Sequence, residues 1–300
     1  MTSAASAGNL AEPKVWLITG ASRGLGHAIA RAALDAGHCV VATSRDGVVP
    51  DLGEHYARRL LTLPLDVTSD ARVTSVVREA TDRFDRLDVL VNNAGYGELT
   101  IFEEASEDRI QAIFDTNLFG TMRVTKAVLP TMRAQRSGHI FNMSSAAGYN
   151  GLGPILYHTS KFAVTGFSQA LAFEVNGFGI SVTNVAPGMF RTDFLDRSSM
   201  QNVPARKIDD YDSARQRLEN FTHGMNHEQR GDPALLGRLL VDVADSEAPP
   251  IHLLVGVDAF ASVQGALECI AADMKRWRAA SEQTSLPPQS VEVDPGSFWR

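Results

Sequence analysis

Three hundred residues, 44% hydrophobic and 21% charged, make a globular chain long enough for a sizeable core. A formal net charge of −7 argues against a nucleic-acid partner, because phosphate binding draws on a surplus of Lys and Arg. No apolar run approaches the roughly 20 residues a membrane span needs, so no membrane role is expected. Cys39 and Cys269 lie far apart in the chain and are both expected as buried thiols, consistent with a reducing cytoplasm.

Residues 1–13 are small and polar with no apolar stretch, and read as a disordered tail rather than a signal peptide. The apolar run at 15–18 then leads into Thr19-Gly20-Ala21-Ser22-Arg23-Gly24-Leu25-Gly26, which predicts a buried parallel strand closed by a Gly-rich turn. Residues 28–36, rich in Ala, Ile and Leu and stopped at Gly37, predict a helix, and 39–43 predict a second strand. This is the length of a strand–helix–strand crossover. Glycine allows the turn and the close approach of a ligand to the backbone, while the helix start offers free N–H groups to a phosphate.

A loop over 46–54 precedes a third strand at 59–65, which ends at Asp66-Val67. Thr68, Ser69 and Asp70 can cap a helix running to Phe84, with Val73, Val76, Val77 and Ala80 at helical spacing. The fourth strand, 87–91, closes in Asn92-Asn93-Ala94-Gly95, and a helical pattern follows over 106–132 as one helix or two. A fifth strand at 139–143, a Gly-rich loop from Ser144, a helix over 157–176 and a sixth strand at 180–185 ending in Pro187-Gly188 complete the alternation. The pattern predicts a Rossmann-like α/β fold: a doubly wound parallel sheet of about seven strands with helices on both faces. Such sheets bind ligands at the carboxyl ends of their strands, where every motif named here falls. Residues 189–231, polar with scattered aromatics (Phe190, Phe194, Tyr211, Phe221), are expected to close over a substrate as a lid. A helix opened by Asp232-Pro233, a seventh strand at 251–255 and a last helix over about 259–280 follow. One domain is expected over 14–283, with a loose tail at 284–300 whose Phe298 and Trp299 could dock on a partner or on the core.

Tyr157 and Lys161 are four apart, so both project from one helix face. A phenol titrates near 10 in water, and a neighbouring ammonium favours its anion, so the pair can exchange a proton with a carbonyl oxygen. Ser144 and Ser145 stand 13 and 12 residues earlier, at a strand end where a hydroxyl can reach a substrate oxygen. Asn117, a poor helix former inside a helical pattern, could hold a water that relays protons to Lys161.

The Gly-x-x-x-Gly-x-Gly spacing of Gly20, Gly24 and Gly26 differs from the commoner Gly-x-Gly-x-x-Gly. Together with Asp66, Asn92-Asn93-Ala94-Gly95, Asn117, the serine pair, Tyr157 with Lys161, and Pro187-Gly188 with Thr192, it resembles the motif set of the short-chain dehydrogenase/reductase family over residues 14–275. The resemblance implies that Gly20, Ser22, Arg23, Gly24, Leu25 and Gly26 line the pyrophosphate and adenosine ribose. It implies that Asp66 and Val67 hold the adenine, and that Asn92, Ala94 and Gly95 pack beside the ribose. Pro187, Gly188 and Thr192 would hold the nicotinamide carboxamide. Tyr157 would be the proton donor and acceptor, and Lys161 would bind the nicotinamide ribose. The family's serine-to-tyrosine spacing selects Ser144, whereas counting back from Gly148 in Ser-x-x-Gly selects Ser145; Ser145 is preferred because the strand end fixes it more rigidly. The family also implies a homodimer or homotetramer paired through the helices at 106–132 and 157–176.

NADP(H) is expected over NAD(H). A carboxylate ending the second strand would accept from a ribose 2′-OH and repel a 2′-phosphate; here the strand ends Thr43-Ser44-Arg45, and Arg23 lies in the Gly-rich turn, with Asp46 a complication. No metal is expected: His223 and His227 are four apart, but Gly224 replaces the glutamate of a zincin helix. The expected activity interconverts a carbonyl, ketone or aldehyde, with an alcohol on a partly apolar small molecule. The competing reading is a dinucleotide-binding sensor or scaffold without turnover.

Overall fold

The computed structural model of the chain describes residues 12–50, 52–196 and 198–286, without the side chains of Phe221 and His223. β1 (Val15–Ile18) is buried along its whole length, with Trp16 and Ile18 in one hydrophobic layer and Val15 and Leu17 in the other. A strand covered on both faces reads as an unbroken apolar run, which is why it was legible. α1 (Gly24–Asp35), β2 (Cys39–Ser44), β3 (Leu60–Pro64), α2 (Asp70–Phe84) and β4 (Val89–Asn92) follow, α2 being capped by Ser69, whose side chain accepts from the Arg72 N–H. Next come the two-residue β5 (Gly97–Glu98), α3 (Glu107–Phe114), a π-helical segment (Asp115–Gly120), α4 (Thr121–Gln135) and β6 (Gly138–Met143). α5 (Ile155–Val175), β7 (Ile180–Pro187), the short β8 (Met200–Gln201), α6 (Asp212–Met225), α7 (Pro233–Ala244), β9 (His252–Val255) and α8 (Val257–Glu282) complete the chain.

Seven strands form one sheet in the order β3-β2-β1-β4-β6-β7-β9, every pairing parallel. The expected Rossmann-like α/β sheet is thus present, with its switch point between β1 and β4. One layer packs α1 and α7 through Ile29, Leu34, Leu236 and Leu240. The other packs α2, α4 and α5 through Val76, Val124, Val128 and Leu171. Among the described residues no helix is long and apolar enough to cross a membrane.

The structure adds to the sequence reading at one point and departs from it at two. The 106–132 pattern is two helices joined by a π-helical segment, a feature often found at functional positions. α6 and the β5–β8 ladder were not foreseen: α6 is largely polar, with Leu218, Phe221 and Met225 scattered among Ser, Arg, Gln, Glu, Asn and Thr, and two-residue strands carry no alternation to read. Both cysteines are free, but Cys39 is half-buried and Cys269 exposed, not two buried thiols, because Cys269 lies on a helix that leaves the body. Residues 1–11 and 287–300, which include most of both expected tails and Phe298 and Trp299, lie outside the described residues.

Candidate active site

β1 delivers the Gly-rich turn to the carboxyl edge of the sheet at the switch point. Gly20 and Gly24 adopt φ of +67° and +60°, which side chains rarely tolerate, and a Cβ on Gly26 would lie 2.4 Å from both Gly20 O and Asn93 Nδ2. Asn93 is what locks this turn, its Nδ2 donating to Thr19 O and Gly20 O at 2.9 Å. The Thr19 hydroxyl in turn accepts from the N–H groups of Asn93 and Ala94, at 2.9 and 3.0 Å. Asn92, expected beside the ribose, points inward instead: its Nδ2 donates to Thr125 Oγ1 and Asn142 Oδ1 at 2.9 Å. Successive strand residues face opposite ways, so the two asparagines divide between the core and the turn.

The turn leads into α1, whose N-cap residue Arg23 offers no side-chain cap and whose first turn has no acidic residue. Its free N–H groups and positive dipole end suit a diphosphate. The Arg23 guanidinium itself reaches across to Ser198 Oγ at 2.8 Å and Ser199 Oγ at 2.7 Å. Thr192 stands opposite the turn, its Cβ and Cγ2 each 3.6 Å from where a Cβ on Gly24 would be, and its hydroxyl accepts from Phe194 N at 3.3 Å.

At the end of β2, Ser22, Ser44, Arg45 and Asp46 line a cavity of about 450 Å³. Asp46 turns toward Ser44 Oγ, which donates to it at 2.8 Å, and toward Val48 N at 3.0 Å. That hydroxyl, followed by the Val48 N–H, holds the Asp46 carboxyl below the usual carboxylate range. Asp66 is engaged in its own turn, accepting from Thr68 N at 2.9 Å and Thr68 Oγ1 at 2.8 Å, while Val67 is buried against Gly120. The free helix N-terminus, the open turn and the serine–arginine cavity in series fit a nicotinamide dinucleotide.

The proton-handling group forms on α5, the π segment and the end of β6. Lys161, 6% exposed, donates from Nζ to Met143 O at 2.7 Å and lies 5.7 Å from the centre of the Tyr157 ring. Burial lowers its ammonium to about 8. Burial also pushes the Tyr157 phenol up to about 12, against a hydrogen bond from Ser145 that pulls it down. The depression expected from the neighbouring lysine is not seen, and desolvation sets the direction in the protein alone.

Of the two serines, Ser145 faces Tyr157. It also caps the short turn at Ala146–Gly148, accepting from Ala147 N at 3.1 Å, and donates to Pro187 O at 3.5 Å. Ser144 points the other way, donating to Lys161 O at 3.0 Å and meeting Thr165 Oγ1 at 2.9 Å. Gly148 makes room for that buried hydroxyl: a Cβ there would sit 2.4 Å from Ser144 Oγ. Asn117, in the π segment, clamps Tyr96, accepting from its N–H and donating to its C=O, both at 3.0 Å. It also donates to Ser160 Oγ at 3.0 Å, and Gly95 lies between Asn117 Oδ1 and Lys161 Nζ. Gly188 follows Pro187 and bonds Val255 O through its N–H at 2.9 Å, while Asp258 takes the Met189 N–H at 2.6 Å.

The excursion over 189–231 has its ends stitched together, Arg191 N bonding Gly231 O at 2.9 Å and Gly231 N bonding Met189 O at 3.0 Å. It brings Phe194 to 5.5 Å from the Tyr157 ring. Two buried carboxylates on the facing segment hold it. Glu98 pairs with Arg109, which also bonds Gln201, and Glu104 pairs with Arg215 while accepting from Ile208 N at 2.7 Å. Sequence reasoning missed both, because isolated glutamates in a polar stretch carry no periodic signal. The Tyr149 hydroxyl bonds His252 Nδ1 at 2.5 Å and accepts from Asn184 at 2.9 Å, and Leu152 is 91% exposed. His227 lies 3.6 Å from Asp196.

A short chain dehydrogenase model matches residues 14–203. The chain belongs to the short-chain dehydrogenase family, whose members are oxidoreductases that bind nicotinamide cofactors. It is 38% identical over 271 residues to oxidoreductase BOA17 of Botryotinia fuckeliana, covering 89% of this chain and 98% of that one. A short-chain dehydrogenase structure from Streptomyces avermitilis superposes with a TM-score of 0.83 at 35% identity, covering 91% of this chain and 99% of that one. ElxO with NADP bound gives a TM-score of 0.67 at 28% identity, covering 81% and 96%. A Burkholderia phymatum relative in complex with NAD shares the fold at a TM-score of 0.71 and 20% identity, covering 94% and 98%.

Proposed function

We propose that this short-chain dehydrogenase is an NADP(H)-dependent enzyme that interconverts a carbonyl and an alcohol, with Tyr157 as proton donor and acceptor. The observation that carries this reading is the buried Lys161 ammonium 5.7 Å from the centre of the Tyr157 ring, with Ser145 just beyond the end of β6 beside them. When bound, the nicotinamide supplies or accepts the hydride. Tyr157, its phenol raised to about 12, keeps its proton at neutral pH and hands it to the carbonyl oxygen. Ser145 donates to the same oxygen, and Asn117 fixes the Tyr96 backbone and Ser160 beneath the helix that carries the pair. Gly20, Ser22, Arg23, Gly24, Leu25 and Gly26 hold the phosphates; Asp66, Val67, Ala94 and Gly95 flank the adenosine; Pro187, Gly188 and Thr192 take the carboxamide.

The preference for NADP(H) rests on Ser44 standing where an NAD enzyme needs a carboxylate, with Arg45 beside it and Asp46 held away by Ser44 and Val48. Phe194 over the tyrosine favours a partly apolar substrate. Free Cys39 and Cys269 suit a reducing cytoplasm. Exposed Phe119 on the π segment and Phe162 on α5 suit pairing with a second copy as a homodimer or homotetramer.

The test is NADPH oxidation, followed by absorbance, against a panel of ketones and aldehydes, with NADH and Tyr157→Phe in parallel. Turnover with NADPH that vanishes in the variant supports the reading. NADPH binding without turnover on any carbonyl would give the site to a sensor.

A further inference from the structure

α8 is long, and its outer half stands clear of the body: from Leu267 to Glu282 every residue is exposed. Along it, Phe260, Val263, Leu267, Ile270, Met274 and Trp277 recur at alternating steps of three and four, an unbroken seam of heptad a and d positions. Val263 is buried at the root, whereas Phe260, Leu267, Ile270, Met274 and Trp277 are each more than half exposed. Glu268, Lys275, Arg276 and Glu282 occupy the other faces. Helices gain most of their stability by burying an apolar stripe, and this one finds no cover among the described residues.

The charges beside the seam say which partner fits. Asp273 falls at g and Arg278 at the following e, the two positions that meet across a parallel pair of identical helices. Arg278 bonds Glu282 on its own helix at 2.7 Å, and Asp273 has no ion pair among the described residues. An antiparallel pair centred on the seam would set Asp273 against its own copy. Ala259, Ala266, Ala271 and Ala280 fill four of the remaining flanking positions, and Gln264 at the fifth bonds Glu268 of its own helix at 2.8 Å, so little bulk holds a second helix away.

We infer that α8 pairs in parallel with α8 of a second copy of this chain, Leu267, Ile270, Met274 and Trp277 forming the seam and Asp273 of each copy meeting Arg278 of the other. This surface is separate from α4 and α5, and the inference holds whether or not the chain turns over a carbonyl.

The test measures particle mass by sedimentation and light scattering on the full chain, wild type against Ile270→Glu/Met274→Glu, with circular dichroism confirming that the variant is folded. The pairing predicts that the double variant halves the mass, whatever other interfaces exist. Arg278→Asp weakens association by about tenfold or more, and adding Asp273→Arg restores it. A monomeric wild type, or a folded double variant of unchanged mass, overturns the pairing. A halved mass without rescue by the charge swap overturns the parallel arrangement. A chain ending at Leu286 that associates where the full chain does not would make residues 287–300 the occupant, and overturn it as well.

Discussion

At the scale of single residues the site divides two adjacent serines between two tasks. Ser145 meets Tyr157, while Ser144 joins the backbone of α5 to Thr165. Ser145→Ala should therefore lower kcat by about 10² or more, since in the proposed mechanism it removes a donor to the reacting oxygen, and lose about 1 kcal/mol of stability with the cap on Ala147 N. Ser144→Ala should leave kcat nearly intact and cost about 1 kcal/mol of stability, read by denaturant unfolding, because two buried partners lose a hydrogen bond. Lys161, lowered to about 8 by burial, carries its ammonium below that pH and loses it above. Tyr157 stays protonated across the same range, so ketone reduction should fall as pH rises through about 8, with the limb absent in Lys161→Arg. A flat profile to pH 9.5 would show that the ammonium plays no part.

At the scale of elements, buried ion pairs add to the apolar packing of Phe190 and Met200 in attaching the 189–231 segment, the proposed lid. Burial pushes the Glu104 carboxyl up, but the Ile208 N–H and the Arg215 guanidinium outweigh it, and the group ends below the usual range. A carboxyl depressed by folding contributes fully above its ordinary value of about 4.3, and that contribution fades as pH falls through the lower folded value. Hydrogen-exchange protection over 198–215, taken relative to the intrinsic rate at each pH, should thus stay constant from neutral pH down to about 5 and fall below it. Glu104→Gln should remove that pH step, speed exchange at neutral pH, and raise KM more than it lowers kcat, since the lid and not the proton donor is loosened. The same contrast explains what could be read beforehand. α5 and α7 announce themselves through apolar positions and, for α7, the Asp232-Pro233 start. α6 and β8 bury polar contacts with distant partners, so their order is a property of the pairing and not of the local pattern.

For the whole molecule, the parallel sheet sets every loop of the site on one edge, and in the proposed reading a bound cofactor would span it from β2 to β7. The proposed preference for NADP(H) rests on the β2 end, where Arg45 and Ser44 line a cavity with Asp46 turned aside. Arg45→Ala should weaken NADPH binding by about tenfold or more while leaving NADH within about twofold, measured by fluorescence titration, because only the 2′-phosphate meets the guanidinium. Equal losses for both would remove Arg45 from that role.

The doubly wound sheet, the Gly-rich turn and the spacing of Tyr157 and Lys161 were legible in the chain, because buried parallel strands, glycine punctuation and helical spacing are local properties. Only the tertiary structure decided that Asn93 rather than Asn92 locks the turn, that Tyr149 turns to His252, that Arg23 reaches the lid serines, and that the Tyr157 phenol is raised rather than lowered. Each of these depends on which way a side chain faces and what surrounds it, and those are set by elements far away in the sequence.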